Sequence, residues 1–377
     1  MEIRFCASIH NVDQPQWDAL TDSDYPFTRH AFLAALEDSQ SCSHKSGWQS
    51  HHLTLWDKEQ LLAAMPLYIK SHSYGEYVFD WSWADAYHQH QHEYYPKFVT
   101  CIPFTPATGP RVLSRVPFET ILPEIIEAIK EESLRLGVSG WHCLFPVDEL
   151  SDSLKQLNLG KRYGSQFHWF NRNYTSFDDF LEGFSSRKRK NLKKERLKVQ
   201  EQGIQLKTKT GSDISSEEWA LFYQLYHRTY FKRSGRQGYL TADFFTRLAK
   251  NLSEQVLMII AEKEGKQIAM ALCFRDSNTL YGRYWGCSDE YDFLHFETCY
   301  YQGIEYCIRE GLNRFDPGAQ GEHKIQRGFE PVLTWSNHWI AQEDFRQAIN
   351  HFLEREKGGV LNYIKEAKSY LPFKKQQ

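Results

Sequence analysis

The sequence predicts a mixed α/β (α+β) protein made of two similar halves, each a mostly antiparallel mixed sheet flanked by helices. Three observations predict it. The chain has 377 residues, more than one ordinary core organises, so two domains are the natural expectation. A strand-and-turn pattern is written twice. Helical stretches with capping signals flank both copies.

The first copy runs "HHLTLWDKEQ" (51–60) and then "AAMPLYIKSHSYGEYVF" (63–79). The second runs "VLMIIAEKEGKQ" (256–267) and then "IAMALCFRDSNTLYGRYWG" (268–286). Each has a strand-like run, a charged turn, A-M-x-L, a basic residue, a polar turn and Y-G-x-Y, which reads as three successive antiparallel strands. Among the helices, "PFETILPEIIEAIKEESLRLG" (117–137) carries Ile121, Leu122, Ile125, Ile126 and Ile129 on one face and ends at Gly137. "SGWHCLF" (139–145) reads as a strand. "SSRKRKNLKKERLKVQEQG" (185–203) begins at an N-cap, Ser185 or Ser186, and stops at Gly203. "SSEEWALFYQLYHRTYF" (215–231) has a capping box. "DFLHFETCYYQGIEYCIREG" (292–311) is a helix closed by Gly311, "LNRFD" and "TWSNHWI" (334–340) are strands, and the tail reads as two helices broken at Gly358-Gly359. The expected domains are 1–170, 171–345 with the basic helix, and a helical tail 346–377.

Net charge is −3, so contact with nucleic acid or an anionic surface must be local. Eight scattered cysteines without a C-x-x-C pair suit reduced thiols rather than disulfides or zinc. "HQHQH" (88–92) lies in a stretch read as a helix ended by Pro96, where its histidines fan out, so no metal site is assigned. The N-terminus lacks a signal-type apolar region and no run is long enough to span a bilayer. The expectation is a cytoplasmic protein.

Three stretches carry candidate chemistry. "FDPGAQGEHKIQRGFEP" (315–331) packs glycines, Asp316, Gln320, Glu322, His323, Lys324 and Arg327 into one loop. Its glycines free the backbone to approach a ligand, Lys324 and Arg327 suit a phosphate or carboxylate, and Glu322 or His323 suits a proton acceptor. A charged surface turn is the alternative. "RKRKNLKKERLK" (187–198) has eight basic residues in twelve and one acid, Glu195. On a helix Arg187, Lys190 and Lys194 share a face with Lys193 close by, which fits phosphate binding or, alternatively, a solvated face. In the first half, "FDWSWADAY" places Asp80, Trp83, Asp85 and Tyr87 at a strand end and "TPATGPRVL" adds Arg111. These suit an amine or peptide pocket, or an aromatic core with Asp80 or Asp85 paired to Arg111.

The stretches "PLYIKSHSYGEYVFDWSWADAY", "YYPKFVTCIPFTPATGPRVL", "FSSRKRKNLKKER" and "FDPGAQGEHKIQRGFEPVLTWSNHW" make the chain resemble the FemAB-like proteins of peptidoglycan biosynthesis or recognition. The second half resembles the acyl-transfer domain of the GNAT superfamily, and the Fem-type transferases of cross-bridge synthesis hold two such domains. The resemblance implies an N-acyltransferase acting on a small-molecule or peptide amine, with no tightly bound cofactor. Aminoacyl-tRNA or acyl-CoA would enter as co-substrate, the tRNA acceptor stem at the basic helix. Fem-type enzymes carry a lysine before a short G-F segment that is implicated in transfer, and Lys324 in "HKIQRGF" stands at that place. Acyl-CoA users carry Q/R-x-x-G-x-G/A; Arg283, Gly286 and Ser288 in "RYWGCS" approximate it, with Trp285 inside, but acids follow. The resemblance also leaves a CoA-dependent acetyltransferase and a non-catalytic muropeptide-recognition module open. The loop is expected to border a cleft with an exposed Lys324 pointing into it.

Overall fold

The computed structural model describes residues 1–235, 237–319 and 321–374. They form two compact units, one of residues 1–164 and 333–362, the other of the described residues from 165 to 332 and from 363 onward. The expected separate tail is therefore divided: residues 346–362 pack with the first unit and 363 onward with the second. Among the described residues no helix is long and apolar enough to cross a membrane, and no group of three His, Cys, Asp or Glu is arranged to hold a metal. The cysteines are free thiols.

In the first unit, strands Glu2–Cys6, His52–Asp57, Gln60–Met65 and Leu113–Ser114 form one antiparallel sheet. The chain then leaves it at Pro66, which has no N–H to give to a ladder, and Tyr68–Lys70 joins a second sheet with Trp48–Ser50 and Lys97–Thr100. There Lys97–Thr100 runs parallel to Gly140–Leu144, which pairs antiparallel with Ser336–Ile340. The expected third strand over Tyr74–Tyr77 does not form: this segment turns, Tyr77 takes φ +62°, and helix Trp81–Gln89 follows. The repeat is thus real in its first hairpin and lost in its third strand. Helix Phe118–Leu136 closes on Gly137 at φ +66° and lays its isoleucines on a core with Leu53, Leu55, Phe98 and Trp141.

The second unit keeps the full meander. Ile204–Thr210, Val256–Lys263, Lys266–Arg275 and Thr279–Cys287 pair antiparallel in that order. Arg314–Asp316 then pairs parallel with Thr279–Cys287 and antiparallel with Trp169–Phe170 of strand Gly160–Phe170. The basic helix is Ser186–Glu201, with Ser185 as N-cap, and helix Ser216–Ser234 has the reciprocal Ser215–Glu218 capping box. The stretch read as one helix at 292–311 is Leu294–Phe296, a π-helical turn Glu297–Tyr301 and helix Gln302–Glu310, capped by left-handed Gly311. The last helix is continuous from Glu343 to Ser369. Gly358 and Gly359 do not break it, since each costs a helix only about 1 kcal/mol relative to alanine.

Candidate functional site

Strands Thr279–Cys287 and Arg314–Asp316 pair only from Thr279–Tyr281 to Arg314–Asp316. The shorter strand ends at Asp316, while the longer one continues to Cys287 on its other partner, which among the described residues leaves its Gly282–Cys287 edge unpaired on this side. Cys273, Gly282, Trp285 and Pro317, with His295, Cys299 and Tyr300 from the helical segment, line a chamber of about 120 Å³ at this edge. Trp285 and His295 also line a wider outer groove of about 470 Å³, rimmed by Arg228, Lys232 and Arg233.

A buried charge cluster meets the chamber at Arg283. The Arg283 guanidinium donates to both carboxylate oxygens of Asp316, at 2.7 and 3.2 Å, with both side chains at most 2 % exposed. Gly318 N–H donates to Asp316 at 2.9 Å, and His168 Nε2 stands 3.7 Å away. Burial alone would raise the Asp316 pKa, but Arg283, His168 and these hydrogen bonds outweigh it and hold the carboxyl well below the usual range. His168 is pushed down to about 4 by burial, against the pull of Asp316.

Lys324 lies on the short 3-10 helix Glu322–Arg327. It is 1 % exposed rather than solvent-facing, which corrects the expected cleft-facing side chain. Its Nζ donates to Gly318 O at 2.6 Å and stands 6.0 Å from the centroid of the Tyr300 ring. The ammonium therefore lies near Tyr300, which lines the chamber, and is not itself part of the lining. Burial pulls its pKa from 10.5 to about 8, with Asp316 opposing and Arg283 adding to the drop. Next to it, the His323 Nε2 meets Tyr300 OH at 2.8 Å, and partial burial, then Arg327 and Lys324, lowers the His323 pKa. Gly321, at φ +115°, is required here, because a Cβ would fall 2.4 Å from the His323 ring.

The other loop residues take structural partners. Glu322 accepts from Tyr363 OH at 2.6 Å on the exposed side. Arg327 donates to both Glu195 oxygens at 2.9 Å and to His323 O at 2.7 Å, and lies 3.4 Å over the Phe296 ring. Arg327, Arg283 and Asp316, expected to bind substrate, are thus held by the protein itself. Gln320 lies outside the described residues.

The "RYWGCS" backbone does not present a free phosphate cradle. Cys287 N–H donates to Thr229 Oγ1 at 3.1 Å and Ser288 N–H to Ile268 O at 2.8 Å. Gly286 serves packing: a Cβ there would lie 2.2 Å from the backbone of Leu225 in helix Ser216–Ser234. On the basic helix, Arg187, Lys190, Lys193 and Lys194 are exposed, and Lys193 pairs with Asp178 at 2.7 Å. Leu192 and Val199 bury the opposite side.

The first-unit candidates are interior. Asp80 pairs with Lys97 at 2.5 Å and accepts from Tyr94 OH at 2.7 Å, while Glu76 holds the same ammonium at 2.8 Å. Trp83 and Tyr87 sit on a helix, not a strand end, in an apolar cluster with Ile340, Ile349 and Leu353. Arg111 is fully buried and donates to the carbonyls of Leu144, Ala107 and Pro110. The expected Asp–Arg111 pair is absent, and the true partner, Lys97, was passed over because nothing local marks it. Cys299, Tyr300 and His295 were passed over too: an amphipathic reading assigns them to an ordinary helix, and the π turn that re-aims them leaves no local signal.

Solved structures with the same fold include FemX, at TM-score 0.55 and 12 % identity over 93 % of this chain and 100 % of that one. The C-terminal domain of a putative lysylphosphatidylglycerol synthetase from Agrobacterium fabrum matches at TM-score 0.53 and 11 % identity, over 91 % of this chain and 96 % of that one. L-PGS from Bacillus licheniformis matches at TM-score 0.50 and 11 % identity, over 88 % and 98 %. No curated protein matches at the sequence level. The family model described as peptidoglycan biosynthesis/recognition matches residues 8–375, nearly the whole chain, and the protein belongs to this FemAB-like family.

Proposed function

We propose that the second unit transfers an acyl group, an aminoacyl group first of all, from an activated ester to an amine acceptor. The observation that carries this reading is the buried Lys324 ammonium beside a chamber at the strand edge that Arg314–Asp316 leaves unpaired. A cation held in a low-dielectric site favours the negative charge that develops on a carbonyl oxygen in acyl transfer. The amine nitrogen bonds to the carbonyl carbon, and the bond to the leaving oxygen breaks. The amine proton passes through Tyr300, which lines the chamber, to the neutral imidazole of His323, and returns through Tyr300 to the leaving oxygen. The Asp316–Arg283 pair fixes Gly318, and through it Lys324.

Two observations favour a tRNA-linked donor over acyl-CoA: the exposed cations of the basic helix, and the prior engagement of the Cys287 and Ser288 N–H groups. The family description supports a peptidoglycan precursor as the acceptor. The test incubates the protein with charged tRNAs or with acyl-CoAs, each with amine-bearing muropeptide precursors, and follows the acylated product by mass spectrometry. Product from tRNA that disappears in folded Lys324→Ala supports the reading. Product from CoA alone moves it to the acetyltransferase class. Binding of the precursor without product from any donor makes the protein a recognition module.

A further inference from the structure

We propose that Glu195, the one acid in "RKRKNLKKERLK", is a positioning residue that couples occupancy of the basic helix to the geometry of the Lys324 loop; this rests on the acyl-transfer reading above. Its carboxylate is held from two sides. Arg327 Nη2 donates to both of its oxygens at 2.9 Å, and Tyr301 OH donates to it as well. Those two donors belong to the two elements that build the transfer site. Arg327 ends the 3-10 helix that carries His323 and Lys324, and through Nη1 it grips His323 O at 2.7 Å. Tyr301 ends the π turn that carries Cys299 and Tyr300 on the chamber wall. The two elements meet again at the Tyr300–His323 hydrogen bond.

The basic helix has further ties to both. Lys188 donates to Gln326, within the 3-10 helix. Arg196 donates to Glu297, the first residue of the π turn, at 2.8 and 3.0 Å, and to Glu305 at 2.7 Å. The helix therefore has two functional sides. Arg187, Lys190 and Lys194 are exposed, while Glu195 and Arg196 grip the site from the other side. A phosphate polymer drawn to the exposed cations shifts or steadies the helix as a rigid rod. Glu195 passes that constraint to the His323 carbonyl through a charge-assisted, two-oxygen contact, the kind of hydrogen bond that is strong and directional. A carboxylate that served only to neutralise the basic run would face solvent among the lysines. This one is directed away from them.

The test uses bulk tRNA as the probe. It is titrated onto the wild type and Glu195→Gln, and amide exchange of residues 321–329 is followed by mass spectrometry. In the wild type, bound tRNA slows exchange in this segment severalfold. Glu195→Gln binds tRNA with unchanged affinity but shows no slowing, and Glu195→Asp recovers part of it. In the transfer assay Glu195→Gln loses roughly tenfold or more in kcat with the donor KM unchanged, a split that a general loss of stability does not produce. If Glu195→Gln does not fold, Arg327→Lys serves instead, since it keeps the charge toward Glu195 and loses the second N–H to His323 O. Slowing in the variant equal to that in the wild type overturns the coupling, and so does tRNA that fails to bind or that binds without slowing exchange. An intact exchange response with no transfer from any donor sinks the acyl-transfer reading and leaves the coupling standing. Full kcat in folded Glu195→Gln does the reverse.

Discussion

Lys324→Met is expected to make the protein less active and, near neutral pH, no less stable. Methionine keeps the apolar stem and removes the ammonium. The Lys324 pKa falls from 10.5 to about 8 on folding because its burial disfavours the charged form. That difference is worth about 3 kcal/mol against folding with a charged lysine. The sign follows from proton binding. Between pH 8 and about 10.5 the unfolded chain holds the lysine proton and the folded chain does not, so wild-type stability rises with pH across that window. Below pH 8 the full penalty applies. Against it stands the bond to Gly318 O, a charged hydrogen bond whose loss costs about 1–3 kcal/mol. Lys324→Met is therefore expected to match or exceed wild-type stability by about 0–2 kcal/mol at pH 7. The wild type should then gain about 3 kcal/mol on the variant by pH 10.5. The neighbouring His168 and His323 also feel Lys324, but both stay neutral above pH 7 with or without it, so they add little to the difference. Urea unfolding of both at half-unit pH steps from 7 to 10.5 measures it. A stability difference that stays flat across that range refutes the buried, pKa-lowered lysine. Transfer should fall by about tenfold or more, because the buried ammonium favours the developing charge across Tyr300 rather than by direct contact. Full activity in the folded variant removes Lys324 from the mechanism. The expected exposed lysine is instead 1 % exposed, which is why its removal is expected to bear on stability.

Reversing Lys190 and Lys194 together to glutamate should weaken tRNA binding and lower the slope of log affinity against log salt by roughly 2, with thermal stability unchanged; filter binding at four salt concentrations reads the slope, and an unaltered slope leaves these lysines as solvated surface. Lys97→Met should destabilise the first unit by about 3–5 kcal/mol at pH 7, because Asp80 and Glu76 stay buried without their cation. Adding Glu76→Gln and Asp80→Asn to that variant should recover much of the loss, as seen by urea unfolding, and no recovery would show that the charges are not the cause.

Much of the fold is written locally. The capping box at Ser215, the stop at Gly137 and the alternating apolar strands of the second meander are set by residues within a few positions of each other, so the backbone follows them directly. The Lys324 loop also stands out, because glycines and opposite charges in so short a segment exceed what a turn requires. Several of the failures share one cause: the deciding partner is distant in sequence. Pro66 sends a strand to another sheet, and the Tyr74–Tyr77 segment that resembles its counterpart in the second half turns instead. Asp80 finds Lys97 and not Arg111, whose guanidinium is taken up by carbonyls. Arg327 reads as a free ligand for substrate until Glu195, 132 residues away, accepts its charge.

The sequence by itself determined the class of fold and most of its elements, and it marked one loop as a candidate for chemistry, since those depend on periodicity, caps and residue type. Only the tertiary structure decided which charges are available. A buried charge must be paired or change its protonation, and its partner comes from whichever strand or helix packs beside it. That pairing withdraws Arg283, Asp316 and Arg327 from solvent, and burial beside them lowers the Lys324 pKa. It also turns Glu195, an apparent exception in a basic run, toward the loop.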